Sequence, residues 1–304
     1  YYFRFLEAFP NVLSLAAAPE DQVFRLWQGL GYYSRAKNLH KAAKIICDQW
    51  NGIFPNNFED LKTLPGVGDY TAAAIASFAF DFPKASIDGN VLRWTSRFLG
   101  SAAPIDDPKT KKTIQILLDE WIEHASAHSF NQASMELGAM ICTPKEPKCT
   151  LCPLSQECIA FQKSLTQDLP VKSKKMKVKE QLVAALFIQD KQGNWVISKR
   201  QPNEIWGGLY ALPLHFSDDP SPDSALDQLL QQFNLKNKKT VIQDAWSTTH
   251  LLTHRKLQVH IFSILLEDMP KNPYKFEKWI GVEDLKDLGF PKVFSDFYKH
   301  KGLL

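Results

Sequence analysis

Between residues 11 and 140 the apolar positions recur every three or four residues, the spacing of one buried helix face. Helices are predicted over 21–30, 36–50, 57–63, 69–80, 90–99 and 112–124, with Pro, Gly and Asn in the loops between them. The opening stretch YYFRFLEAFP has the same spacing at Tyr2, Phe5, Leu6 and Phe9, and Pro10 stops it. It begins with Tyr rather than Met and reads as the last turns of a helix, so the chain is expected to be a fragment lacking its N-terminus. After residue 181 the period shortens to that of strands, in QLVAALFIQD, NWVISKR and LQVHIFSILL, with a hairpin signal at DKQG (190–193). One helix, 224–233, places Leu226, Leu229, Leu230 and Phe233 on a single face. The expected organisation is an all-α domain over 1–160, a linker over 161–180 and an α+β domain over 181–304.

A chain of 304 residues that is 44% hydrophobic can bury two cores. No apolar run reaches membrane-spanning length and no signal-peptide pattern opens the chain, so a cytoplasmic setting is the default expectation; separately, the chain is expected to act as a monomer. Five cysteines, an odd number, fit poorly with a disulfide framework. The net charge is only +3, so any affinity for nucleic acid must come from local placement. The densest basic stretch is the linker, where Lys163, Lys172, Lys174, Lys175, Lys177 and Lys179 outweigh Asp168 and Glu180. It reads first as a solvated interdomain segment and second as a set of phosphate contacts.

Cys142, Cys149, Cys152 and Cys158 follow the pattern C-x6-C-x2-C-x5-C, and four thiolates within 17 residues can wrap one soft-metal site. Zinc usually sits between two well-separated C-x2-C pairs, whereas unequal spacings also suit a cubane iron–sulfur cluster. Cys47, in KAAKIICDQW, reads as a small buried apolar residue. Lys145 and Lys148 lie in the first cysteine loop, where a metal-pinned turn presents them either to phosphates or simply to water. His124 and His128 of HASAH lack HExxH order and a third ligand, and read as surface or loop residues.

In LPGVGDYTAAAIASFAF (64–80), Gly66 and Gly68 flank Val67 ahead of an alanine-rich helix. Glycine permits positive φ and leaves amides uncovered, and the first N–H groups of a helix have no internal partners. Amides and helix dipole together make an anion site, with Leu64 and Val67 packing between two helices. An ordinary tight turn fits the same letters. ASIDGNVLRW (85–94) places Asp88 in a loop before a helix, where N-capping is its plain role.

The LPGVG turn, the DGNVLR segment and the four cysteines, in that order, resemble the helix-hairpin-helix DNA glycosylases of the endonuclease III superfamily over residues 1–160. LWQGLGYYSRAKNLHKAA (26–43), DGNVLR (88–93) and NQASMELGAMIC (131–142) are most similar to the MutY family of adenine DNA glycosylases. The resemblance implies a [4Fe–4S] cluster on Cys142, Cys149, Cys152 and Cys158. It also implies excision of adenine from double-stranded DNA carrying 8-oxoguanine:A or G:A mispairs. Asp88 stands at the family's catalytic-aspartate position, where it would stabilise or capture an oxocarbenium-like sugar once the base is flipped out. Tyr70 stands where bifunctional relatives carry a lysine; without an amine there is no Schiff base, and strand cleavage is not expected. Asn90 follows as a partner of the sugar or of Asp88. Tyr32 matches the residue that wedges into the base stack, with a core aromatic as the alternative and Tyr33 as its candidate. Gly66, Val67, Gly68, Lys145 and Lys148 complete the expected DNA contacts. The family's general acid is a glutamate upstream of the segment matching residue 1, so the chain as given is expected to bind DNA and be inactive.

EIWGGLYALPL (204–214) and the helix after it resemble the Nudix-like C-terminal domain of that family. A Nudix hydrolase holds magnesium on a glutamate-rich helix, and ALDQLLQQF offers only Asp227, so pyrophosphohydrolase activity is not expected. The family's 8-oxoguanine-reading loop carries Phe-Ser-His. Leu252, Thr253 and His254 keep the hydroxyl and the imidazole but lose the aromatic face, and a plain hairpin tip is the alternative. The rival functions are an endonuclease III-type pyrimidine glycosylase and lyase, against which Tyr70 and the second domain argue, and a non-catalytic DNA-damage binder.

Overall fold

The computed structural model describes residues 1–173, 178–233, 235, 242–265 and 277–304. Lys174, Lys175 and Lys177 of the expected linker lie outside the described residues. The chain forms two compact units, Tyr1–Cys47 with Met176–Leu304, and Asp48–Lys175. The sequence divides it differently, because helical periodicity runs unbroken through residue 47 while the packing partner changes there.

The first unit opens with α1 (Tyr2–Ala8), α2 (Val12–Ala17), α3 (Glu20–Trp27) and α4 (Tyr33–Trp50). Pro10 follows the end of α1, and Asn11 then caps α2, its carboxamide accepting from the Ser14 amide at 2.9 Å. Phe9, Val23, Phe24, Ala36 and Ala43 share a core with Leu209 from the C-terminal part of the same unit.

The second unit contains α5 (Phe58–Lys62), α6 (Asp69–Phe80), α7 (Gly89–Phe98), α8 (Pro108–Ile122), α9 (Ala127–Glu136) and α10 (Ile159–Gln162). The α9 helix runs into one π-helical turn, Leu137–Ile141. The α8 helix starts four residues before its predicted limit, because Asp107 caps it and Pro108 suits the first helical position. Every residue of α7 from Val91 to Arg97 is buried, so its two arginines must find partners inside the protein. Part of the expected linker is not free: Leu169 is buried and its carbonyl accepts from Arg97 Nε at 2.9 Å.

In the C-terminal part, β1 (Lys179–Gln189), β2 (Trp195–Lys199), β3 (Tyr210–Ala211) and β4 (Leu214–Ser217) precede α11 (Pro222–Gln232). Then come β5 (Ile242–Leu251), β6 (Arg255–Leu265), β7 (Glu277–Ile280) and α12 (Lys292–His300). Among the described residues these strands form one sheet in the order β3-β2-β1-β6-β5, with β4 also on β1 and β7 also on β2. The central pair β1 and β6 is parallel, in register from Lys179 opposite Arg255 to Gln189 opposite Leu265. The unbroken apolar run of β1 reflects burial on both faces. Val183, Ala185 and Phe187 share a core with Phe294, Phe297 and Tyr298 of α12, while Leu182, Ala184, Leu186 and Ile188 pack with Ala225, Leu226 and Leu229 of α11. The DKQG turn joins β1 to β2, with Asp190 Oδ1 accepting from the Gln192 and Asn194 amides and Gly193 at φ +86°.

Candidate active site

The α5–turn–α6 segment is a helical hairpin. Leu64 is buried beneath it and accepts the Val67 amide at 3.1 Å, while Gly66 takes φ +77°, a conformation that favours glycine. Val67 is half-buried, and Gly66 and Gly68 are exposed. Gly68 is the N-cap of α6 and has no side chain to bond the free amides of the first turn. Lys62 pairs with Asp69 at 2.7 Å, tying the last turn of α5 to the first of α6.

Asp88 does cap α7. Its Oδ1 accepts from the Asn90 and Val91 amides at 2.7 and 2.8 Å, and its Oδ2 from Asn90 Nδ2 at 2.8 Å. The cap orients the carboxylate rather than hiding it, because Asp88 and Asn90 line an open pocket with Gly89, Arg93, Ile105, Pro144, Pro170 and Lys172. Tyr70 is 43% exposed. Burial, and then the charge of Asp88, pushes its phenol above the usual tyrosine range, so at neutral pH it is a hydrogen-bond donor.

Arg93 was not singled out by the sequence. Its Nη2 donates to Asn90 Oδ1 at 2.8 Å and to the Gly138 carbonyl at 2.6 Å, and its Nε donates to the Cys142 carbonyl at 2.8 Å. One turn on, Arg97 donates to Cys142 Sγ at 3.3 Å and to the carbonyls of Thr143 and Pro144. Nothing in the local pattern GNVLRWTSRF marks these two arginines, because their partners lie far along the chain. Gly138 packs so closely that a Cβ there would lie 2.7 Å from Asn90 Cβ and 2.8 Å from its carbonyl oxygen.

Cys142, Cys149, Cys152 and Cys158 line one pocket with Trp94, Phe98, Leu137, Ile141 and Phe161. Burial first, then the neighbouring Cys142, Cys158 and Cys152, pushes the Cys149 thiol up. Among the described residues no three His, Cys, Asp or Glu side chains are grouped to hold a metal ion. Four thiols around one pocket supply the soft donor set that a thiolate-held iron–sulfur cluster takes. Lys145 and Lys148 are exposed on the intervening loop, as are His124 and His128 elsewhere.

In the first unit, Tyr32 is 66% exposed and held at φ +48°. Arg35 lies over its ring at 5.4 Å, and its hydroxyl is 2.6 Å from Thr253 Oγ1. Tyr33 packs edge-on against Phe24. Residues 252–254 form the tip between β5 and β6, closed by the Leu252 amide on the Arg255 carbonyl at 2.8 Å. Leu252 rests on the sheet core, whereas Thr253 and His254 are exposed.

The family model of the HhH-GPD superfamily base excision DNA repair proteins matches residues 1–124, and a NUDIX domain model matches residues 184–300. The adenine DNA glycosylase of Buchnera aphidicola subsp. Schizaphis graminum is 34% identical over 296 residues, which cover 96% of this chain and 83% of that protein. The chain belongs to the adenine DNA glycosylase family. The adenine DNA glycosylase of Buchnera aphidicola subsp. Acyrthosiphon pisum is 31% identical over 305 residues, 99% of this chain and 85% of that one. A solved thermostable thymine-DNA glycosylase is 27% identical, covering 53% of this chain and 75% of that one with a TM-score of 0.49. As an adenine DNA glycosylase the chain is a DNA N-glycosylase of base excision repair, with a helix-hairpin-helix domain followed by a Nudix-like one. Endonuclease III-like members of the superfamily generally carry a [4Fe–4S] cluster.

Proposed function

We propose that this adenine DNA glycosylase removes adenine paired with 8-oxoguanine or guanine, and that it does so without cutting the strand. The observation that carries the reading is the Asp88 carboxylate, fixed on the wall of an open pocket by three N–H donors. Breaking an N-glycosidic bond builds positive charge on the sugar. Among the described residues Asp88 Oδ2 accepts one bond, from Asn90, and so keeps lone-pair capacity for that cation. Tyr70, protonated and lacking an amine, donates a hydrogen bond and forms no Schiff base. The amides of residues 66–69 hold a backbone phosphate, Tyr32 enters the stack, and Leu252, Thr253 and His254 face 8-oxoguanine. Cys142, Cys149, Cys152 and Cys158 would hold a [4Fe–4S] cluster, which supplies a rigid clamp on the loop bearing Lys145 and Lys148.

The test is a single-turnover assay with excess protein on duplexes holding adenine opposite 8-oxoguanine, guanine or thymine. Adenine loss is expected opposite the first two, with strand breaks only after alkali. Breaks that keep pace with base loss before alkali, or equal release from the A:T duplex, would refute the reading. Iron and sulfide analysis of the purified protein should give a four-iron, four-sulfide stoichiometry; a single zinc ion would remove the cluster from the account.

A further inference from the structure

The Asp88 pocket holds two cationic residues, Arg93 and Lys172, in different states. Arg93 is 9% exposed and committed to the Cys142 and Gly138 carbonyls and to Asn90. Lys172 is exposed and makes no hydrogen bond or ion pair among the described residues. Its backbone is nonetheless fixed on both sides. The Val171 carbonyl accepts from the Ile105 amide at 3.0 Å, and Ser173 donates through its amide and its hydroxyl to Asp106 at 2.9 and 2.8 Å. Lys172 therefore projects from an anchored segment, not from a floating tether. Asp88, on the same pocket wall, already accepts three N–H bonds, and Asp106 is engaged by Ser173.

We propose that Lys172 is the cation of a backbone-phosphate subsite on the wall of the Asp88 pocket, where it takes the phosphodiester next to the nucleotide whose base is removed. The inference rests on the reading of that pocket as the place where the base is lost. Extruding a nucleotide brings its flanking phosphates toward the pocket that receives it. Asp88 would repel them, and a lysine on the same pocket wall offsets that repulsion while serving as a point-charge phosphate ligand. A lysine serving only as a solvated linker residue would show no dependence on whether a nucleotide is extruded.

Binding of the whole chain is followed by fluorescence anisotropy across a salt series, on two duplexes of equal length. One carries 8-oxoguanine opposite a stable abasic analogue; the other is fully paired. Each phosphate neutralised contributes about 0.9 to the slope of log affinity against log salt. Lys172→Ala should flatten the slope by about 0.9 on the abasic-analogue duplex, leave it unchanged on the paired one, and be rescued by Lys172→Arg. An unchanged slope on the abasic-analogue duplex overturns the assignment, and so does an equal loss on both duplexes. Borohydride trapping of DNA that Lys172→Arg abolishes would make the residue a nucleophile and overturn it as well. Unsubstituted chain that binds the two duplexes alike would overturn the reading of the Asp88 pocket and the lysine with it; a preserved preference with an unchanged slope overturns the lysine alone.

Discussion

Replacing Asp88 by Asn should separate its structural role from its chemical one. Asn ranks with Asp as an N-cap, so its carbonyl keeps the bonds from the Asn90 and Val91 amides. The new NH2 replaces Oδ2 and faces Asn90 Nδ2, donor against donor. Asn90 cannot simply turn over, because its Oδ1 already accepts from Arg93 at 2.8 Å. One bond is lost in a half-buried place open to water, a cost of about 1–2 kcal/mol. For a unit of this size that lowers Tm by roughly 2–8 °C. Asp88→Ala loses the cap as well and should cost about 1 kcal/mol more. The rate responds differently, because both variants remove the negative charge. Loss of one preorganised electrostatic group typically costs on the order of 10²–10³ in rate. Melting curves, single-turnover adenine release and anisotropy on an abasic-analogue duplex measure the three quantities. Asn and Ala should be nearly equal in rate and in binding, and unequal in Tm. An Asn variant within tenfold of the unsubstituted rate, or activities that follow the order of stabilities, would show that Asp88 only caps the helix.

Gly138→Ala should lower Tm by an amount matching about 1–3 kcal/mol and slow adenine release, because the added methyl meets the Asn90 backbone rather than a movable side-chain end. Equal Tm and rate would mean that the π-helical turn yields freely. Burial depresses the pKa values of His40, with Lys44 adding to it, of His250 and of His260. Their folded values lie below the unfolded value near 6.5, so their contribution is full above about pH 6.5 and is lost as pH falls through the folded values. Thermal melts between pH 7.5 and 5 should therefore show a falling Tm that His40→Gln with His250→Gln makes shallower; a Tm that rises toward pH 5 would contradict the assigned direction.

The local letters carried much of this protein. The limits of α6 coincide with the sequence reading, the π-helical turn follows from none of it, and among the described residues the Asp88 carboxylate bonds to groups within three residues of itself, which is why a cap could be read without a fold. The cysteine spacing and the apolar runs of β1 and β6 were equally visible, since periodicity and short loops are properties of neighbouring residues. Other features depend on residues brought together from far apart. Arg93 and Arg97 are unremarkable in a sequence, and their partners at Gly138, Cys142 and Leu169 stand 45 to 72 residues away. Tyr32 meets Thr253 across 221 residues, and Leu209 completes the core around Phe24. Lys172 carries the same charge as its neighbours in the basic stretch; only the anchoring of Val171 and Ser173 to residues 105–106 puts it in the Asp88 pocket. A buried charge or an unpaired cation acquires meaning from what surrounds it, and those surroundings are fixed by close packing of the whole chain, which no local pattern specifies.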